Sequence, residues 1–432
     1  MESRLVIVVG TTPDYVMRIE KEGKPYPLLF ILDSRYKDFE ELQVKDKSHY
    51  LFTNLENRIG TLDSIKKYIA GSEYKPYFIC FDCEALYLTG RLAEHFDSPF
   101  PLPDAILKAR NKYLSGRLWK KNCVPTPECE LASSLPECLE LFTRFNSNVV
   151  LKPVTGSGSE LVFHCTEEHD IEKAVRTLEV QLEKRKDNPL FAPIMDPLIR
   201  EMIDPCRLWL VEEYISGPEY SCDFFMENGN IHILRETGKI KEKDNLFGTV
   251  SGYIVPPCYP ERINKDCIKS VMMQAAVSLG FTWGYFMADF IVSNNRLSII
   301  ELTPRPGGDS LPDLIRVSAG IDILTTYIDI MTGNNGPLEG FPEPAGDFAS
   351  VHFYSDTKGK IENIDTEKIR KDPRTKFLLL KKNPGDSVSI PPDDYDNRLL
   401  GYCVISIDKG ESSISVCREM QKKLKVTYSA LD

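Results

Sequence analysis

The stretch Gly284-Tyr-Phe-Met-Ala-Asp289-Phe-Ile-Val-Ser293-Asn-Asn-Arg296-Leu-Ser-Ile-Ile-Glu301-Leu-Thr303-Pro-Arg305-Pro-Gly307-Gly308 decides the fold. Two apolar, β-branched runs, Gly284–Ser293 and Leu297–Thr303, flank Asn294-Asn295-Arg296, which is the pattern of a hairpin. With those three residues as the loop, Ser293 faces Leu297, and counting back sets Asp289 opposite Glu301. Thr303, two residues further on, shares the face of Glu301. Opposed carboxylates in an apolar hairpin repel, so a cation belongs between them. Mg²⁺ or Mn²⁺ suits such oxygen donors better than a soft metal does. The competing reading is a register off by one residue, which turns one acid to solvent.

Two further stretches upstream carry polar chemistry on apolar strands. In Val149-Val-Leu-Lys-Pro-Val-Thr-Gly-Ser-Gly-Ser159 a buried strand delivers Lys152, and small residues follow whose backbone N–H groups are free to meet phosphate oxygens. It is not a Walker A loop, because no Lys-Ser/Thr pair follows the glycines. By itself an ordinary Gly/Ser hairpin loop accounts for it. In Leu210-Val-Glu-Glu-Tyr-Ile-Ser-Gly-Pro-Glu-Tyr-Ser-Cys-Asp223 two acids close an apolar strand and a Gly-Pro turn brings in Glu219. Such acids, with exposed strand-end backbone, can read an adenine amino group and ribose hydroxyls. A plain solvated hairpin also fits.

Around these motifs the chain changes character in steps. The first hundred residues alternate short strands (Leu5–Val9, Pro27–Leu32, Tyr77–Phe81) with helical patterns (Leu62–Ala70, Glu84–Phe96), an α/β layout with a parallel sheet. The first turn lacks GxGxxG, so dinucleotide binding is not indicated. Ser98-Pro-Phe-Pro-Leu-Pro103 punctuates the chain, and a helical stretch from Asp104 carries Lys108, Arg110 and Lys112. The polar, lysine-bearing segment Glu236–Ser251 reads as a mobile loop. After Gly333-Asn-Asn-Gly-Pro337 the chain turns to short strand-like runs.

A chain of 432 residues with 42 % hydrophobic and 27 % charged residues is neither disordered nor fibrous, and allows about three domains. The net charge of −11 argues against nucleic acid or an anionic membrane as the main partner. No apolar run approaches the roughly 20 residues of a membrane span. Met1–Gly10 reads as a first strand rather than a signal peptide. The 12 cysteines are scattered, and the lone Cys80-Phe-Asp-Cys83 pair is a weak zinc or redox signal. A cytoplasmic protein with reduced thiols is expected.

Taken in order, Lys112, Lys152 with its small-residue loop, Glu212-Glu-Tyr-Ile215 with Gly-Pro-Glu219, then Asp289 and Glu301 ahead of Pro-Arg-Pro-Gly-Gly308, the chain resembles the ATP-grasp superfamily, in its carboxylate–amine (amino-acid or dipeptide) ligase branch. Turns in the tail, Tyr354–Ile361, Pro384-Gly-Asp386 and Leu400-Gly-Tyr402, resemble that branch's small last domain. The resemblance implies a multidomain α/β and α+β fold. Its parts are a Rossmann-like pre-ATP-grasp domain (1–103), a two-lobed ATP-grasp domain (104–335, lid lobe about 125–210) and a small β-rich C-terminal domain (336–432).

The same resemblance implies ATP and Mg²⁺ (or Mn²⁺) as cofactors. Lys112 and Lys152 would meet the phosphates and purine edge, and the loop Thr155, Gly156, Ser157, Gly158 and Ser159 would close over the triphosphate. Glu212 and the Ile215 backbone would take adenine, and Glu219 the ribose. Asp289 and Glu301 would hold the metal, with Thr303 where the family usually has Asn, which leaves the number of ions open. Arg305, with Gly307 and Gly308, would bind the acyl substrate's carboxylate, a bidentate task suited to a guanidinium. Lys152 and Arg305 would stabilise the transferring group. Met287, where D-alanine ligases usually carry Arg, points away from that branch. Arg235 and Lys239 are candidates for a substrate carboxylate, or else solvated loop residues.

The implied activity joins a small carboxylate to an amine through an acyl-phosphate, with residues 236–251 as the lid. A phosphotransferase and a catalytically silent ATP-binding module are the alternatives. The expected partners are small-molecule acids and amines, with no nucleic acid and no membrane, and a homodimer remains open.

Overall fold

The computed structural model describes residues 4–23, 25–39, 42, 49–55, 58–70, 73–196, 200–242, 245–334 and 342–429. Strands Tyr50–Thr53, Leu28–Asp33, Arg4–Val9 and Lys75–Ile79 lie side by side in that order as a parallel sheet. Leu5–Val9 and Leu29–Leu32 are buried almost completely, as continuous apolar runs in a covered parallel sheet should be. The strand Tyr50–Thr53 escaped the sequence reading because its four residues carry too short a pattern. The order reverses between Arg4–Val9 and Lys75–Ile79. The loops leaving those two strands, Gly10–Thr12 and Cys80–Ala85, therefore flank a crevice at the carboxyl ends of the strands.

A second, antiparallel sheet is built from Cys129–Ala132, Trp209–Glu213, Val149–Pro153 and Phe163–Cys165. Helices Leu135–Arg144 and Glu168–Glu183 share its core. The second helix opens on a capping box between Glu167 and Asp170, which satisfies two otherwise orphaned backbone N–H groups.

The largest sheet has eight strands: Arg296–Thr303, Gly284–Ser293, Glu219–Glu227, Asn230–Ile240, Gly252–Val255, Phe348–Tyr354, Leu399–Ser406 and Thr375–Leu380. It runs without interruption from the Gly284–Thr303 hairpin into the tail, because Gly252–Val255 pairs with Phe348–Tyr354. The boundary expected at 335–336 lies outside the described residues. Helix Lys265–Leu279 packs on this sheet between an Asn264 cap and Gly280 at φ +95°. A small sheet of Ser387–Val388, Gly359–Asp365 and Lys425–Ser429 completes the tail.

Two local expectations are corrected. The helical stretch after Asp104 is two helices, Pro103–Arg110 and Lys112–Lys121, because Asn111 leaves helical geometry and its side chain caps the second helix through Leu114 N at 3.0 Å. Glu236–Ser251 is not all loop: the strand Asn230–Ile240 continues through Glu236–Ile240, held by the ladder with Glu219–Glu227. Among the described residues, no helix is long and apolar enough to cross a membrane.

Candidate active site

The hairpin brings Asp289 opposite Glu301, by a route that differs from the expected one. The turn is only Asn294-Asn295, both with left-handed φ (+49° and +59°), as a tight primed turn requires. That register alone would pair Asp289 with Ile300. A bulge between Asp289 and Phe290 absorbs one residue, so Phe290 pairs with Ile299 and Asp289 with Glu301. The bulge turns Ile300 and Glu301 toward the same side while Leu297, Ile299 and Leu302 stay in the core.

Cations meet both acids. Lys239 Nζ lies 2.7 Å from Asp289 Oδ2 and 2.6 Å from Glu219 Oε1, and Lys112 Nζ lies 3.4 Å from Glu301 Oε1. Lys241 also pairs with Glu219. Burial raises Glu219, but Lys239 and Lys241 outweigh it and hold the carboxyl at about 2. Burial works against Lys239's charge, yet Asp289 and Glu219 keep its ammonium well above the usual lysine range. Burial pushes Asp289 up despite Lys239, with Glu219 and Glu301 adding to the push. Glu301 is also pushed up by burial, but Lys112, Lys152, Lys239 and Arg305 together bring it below the ordinary value.

Lys112 is positioned by backbone. Its N–H donates to Val154 O at 2.8 Å, which ties the helix start to the end of the Lys152 strand, and its Nζ reaches Gly156 O at 3.1 Å. Lys152 pairs with Glu212 at 2.5 Å, both nearly buried. The connection to Glu219 passes so close to the hairpin that a Cβ on Gly217 would lie 2.1 Å from Val292 O. Lys112, Lys152, Thr155–Ser159, Glu212, Ile215, Glu219, Asp289 and Glu301 all line one cavity of about 190 Å³.

That cavity opens into a second of about 740 Å³, which holds Thr303, Arg305, Gly307 and Gly308 and shares Asp289, Glu301 and Ser157–Ser159 with the first. The Arg305 Nε–H donates to Cys83 Sγ at 3.0 Å, and Nη1 to Pro306 O at 2.7 Å. Beyond Arg305 the crevice of the first sheet adds about 880 Å³.

Arg235 does not join this cleft and is corrected. Its guanidinium is buried against Asp223 (2.5 Å), Ser221 Oγ (3.1 Å) and Thr237 Oγ1 (2.7 Å). Asp223 in turn accepts from Gly307 N–H and the Tyr285 hydroxyl, so this cluster props the Gly307 turn from behind. A readable signal existed. The polar alternation Glu219-x-Ser221-x-Asp223 and Arg235-x-Thr237-x-Lys239 puts three matched pairs on one face of neighbouring strands. Cys83, by contrast, meets Arg305 across 222 positions, and no local pattern announces that contact.

The donor set fits a hard divalent ion. Asp289 Oδ1 is buried without a hydrogen-bond partner among the described residues, and so is Thr155 Oγ1, from a residue lining the same cavity. Among those residues no group of three or more His, Cys, Asp or Glu gathers as a metal cage. Two carboxylates completed by phosphate oxygens is the arrangement Mg²⁺ favours.

Residues 145–313 match the ATP-grasp domain family. The chain is 23 % identical over 250 residues to D-alanine–D-alanine ligase of Acidovorax ebreus, covering 54 % of this chain and 68 % of that protein. It is 26 % identical over 272 residues to dapdiamide A synthase of Enterobacter agglomerans, covering 62 % and 57 %. The crystal structure of an L-amino acid ligase from Bacillus licheniformis superposes with a TM-score of 0.76 at 18 % identity, over 99 % of this chain and 100 % of that one. The match at residues 145–313 is thus to an ATP-grasp domain, and the whole chain shares the fold of the L-amino acid ligase structure.

Proposed function

We propose that the protein is an ATP-dependent ligase that activates a small carboxylate, such as an amino acid, as an acyl-phosphate and passes the acyl group to an amine, releasing ADP and phosphate. The observation that carries this reading is the junction of the two cavities. The opposed acids Asp289 and Glu301 stand where the 190 Å³ cavity meets the larger one that holds Arg305. Phosphate transfer at that junction would deliver the γ-phosphoryl group directly to a carboxylate lying on Arg305.

Within this reading each lining residue has a role. Glu212 and Ile215 take adenine, and Glu219 the ribose. Lys112, Lys152 and the Thr155–Ser159 loop align the phosphates and screen their charge, which is most of what phosphoryl transfer asks of a protein. Asp289 and Glu301, with Thr303 next in line, would hold Mg²⁺, which would supply neutralisation of the phosphate charge when bound. Arg305 orients the carboxylate in line and then faces the oxyanion of the acyl intermediate. An acyl-phosphate must be kept from water. The loop after Ile240 closes on the phosphate loop, and a Cβ on Gly248 would lie 2.8 Å from Ser159 Cβ.

Two variants test the roles. Glu301→Gln should lower ADP release at least about 100-fold with every substrate. Arg305→Ala should leave ATP binding near wild type while removing amide formation, and amide formation that survives it would overturn the role of Arg305. Nucleotide titration alongside ADP and product analysis reads both.

A further inference from the structure

Asp309 lies between the Gly307-Gly308 turn and helix Leu311–Ala319 with a left-handed backbone, φ +58°. A residue with a side chain takes that conformation rarely, and keeps it where its surroundings enforce it. The side chain is 30 % exposed and lines both the Arg305 cavity and the crevice of the first sheet. Behind it His352, fully buried on strand Phe348–Tyr354, spans two loops. Its Nδ1 is 2.8 Å from Val250 O, and since a carbonyl only accepts, Nδ1 carries the proton. Its Nε2 lies 2.7 Å from Ser310 Oγ and 3.3 Å from Asp309 Oδ2. Asp309 Oδ1 is buried with no hydrogen-bond partner among the described residues.

This geometry is short of one hydrogen. With Nδ1–H fixed on Val250, a neutral imidazole turns its Nε2 lone pair toward a carboxylate oxygen. Ser310 has a single hydroxyl hydrogen, which it donates to Ser350 Oγ at 2.8 Å. A buried imidazole lone pair facing a carboxylate oxygen is unfavourable, and one added proton between them relieves it.

We propose that Asp309 is the general base of the ligation, receiving the proton of a primary ammonium substrate, with His352 as the positioning residue that holds the carboxylate and shares the proton. The proposal rests on the ligase reading above. One proton of the ammonium first passes to Asp309, which frees the lone pair that forms the new N–C bond at the acyl carbon; Asp309 later returns that proton to solvent. The C–O bond to phosphate breaks, and phosphate leaves with that electron pair and the second proton. The amide and inorganic phosphate complete the balance.

The neighbouring groups narrow the choice. Burial pushes the hydroxyls of Tyr15, Tyr253, Tyr354 and Tyr402 far above neutrality, so none accepts a proton there. Arg398 is engaged with Thr249 and stacked on Tyr354. Among the described residues, Asp396 is the one rival carboxylate lining both cavities.

The test supplies ATP, Mg²⁺ and a mixture of the proteinogenic L-amino acids to the full chain, with and without hydroxylamine. Hydroxylamine is largely unprotonated at neutral pH and needs no base to trap an acyl-phosphate as a hydroxamate. In Asp309→Asn the ratio of amide to hydroxamate should fall about 100-fold or more. His352→Asn should lower the same ratio, and Asp396→Asn should not. An unchanged ratio in Asp309→Asn, a proportional loss of both products, or a ratio that follows Asp396→Asn overturns the proposal. A wild-type protein that makes neither product overturns the ligase reading instead.

Discussion

Lys239 shows how one ammonium can define a site. It sits between Glu219 and Asp289 at 2.6 and 2.7 Å, almost wholly buried, and compensates two acids that would otherwise be desolvated together. A divalent ion at Asp289, as proposed, would compete for the same carboxylate, so nucleotide binding should loosen this contact. Removing one partner of a buried ionic cluster typically costs about 3–5 kcal/mol. Lys239→Met should therefore destabilise the ligand-free protein by about that much, and Mg·ATP should restore part of it, as urea unfolding with and without the nucleotide would show. The sequence exposed Asp289, Glu301 and Arg305 because each sits in a short, ordered motif. It misplaced Arg235 because burial depends on the partner strand: Asp223 stands 12 positions away and turns the guanidinium inward. His352 and Cys83 left no local trace, since their partners come from other parts of the chain.

Short irregularities in otherwise regular elements aim these side chains. The hairpin pairs its two acids only because a two-residue turn and a one-residue bulge compensate each other. Alternation shows that a strand exists, but it does not show where a ladder skips a residue. The break at Asn111 was equally hidden, since helical periodicity runs on through Lys112. That break sets the start of the helix from which Lys112 reaches Gly156 and Glu301. Asn111→Ala removes the cap and should cost about 1 kcal/mol of stability. It should also weaken ATP binding severalfold while a surface cap such as Asn264→Ala leaves binding alone, a difference that thermal melts and nucleotide titration together would detect.

The three parts of the chain meet at one cleft. The first sheet offers its switch-point crevice, the middle sheets line the 190 Å³ cavity, and the tail contributes Asp396, whose Oδ1 would lie 3.1 Å from a Cβ on Gly158. The parallel layout of the first sheet was legible in its short buried apolar strands. The continuity of the eight-stranded sheet was not, because pairing between Gly252–Val255 and Phe348–Tyr354 joins segments about a hundred residues apart. The overall charge of −11 conceals a local concentration of Lys112, Lys152, Lys239, Lys241 and Arg305 around cavities suited to a polyanion. The most direct measurement is ADP release and product mass across amino acids supplied singly and in pairs. The account predicts one ADP and one phosphate for each amide formed, and release only when an acid and an amine are both present. Nucleotide binding without ADP release across the whole panel, or a stable phosphorylated product formed without an amine, would contradict it.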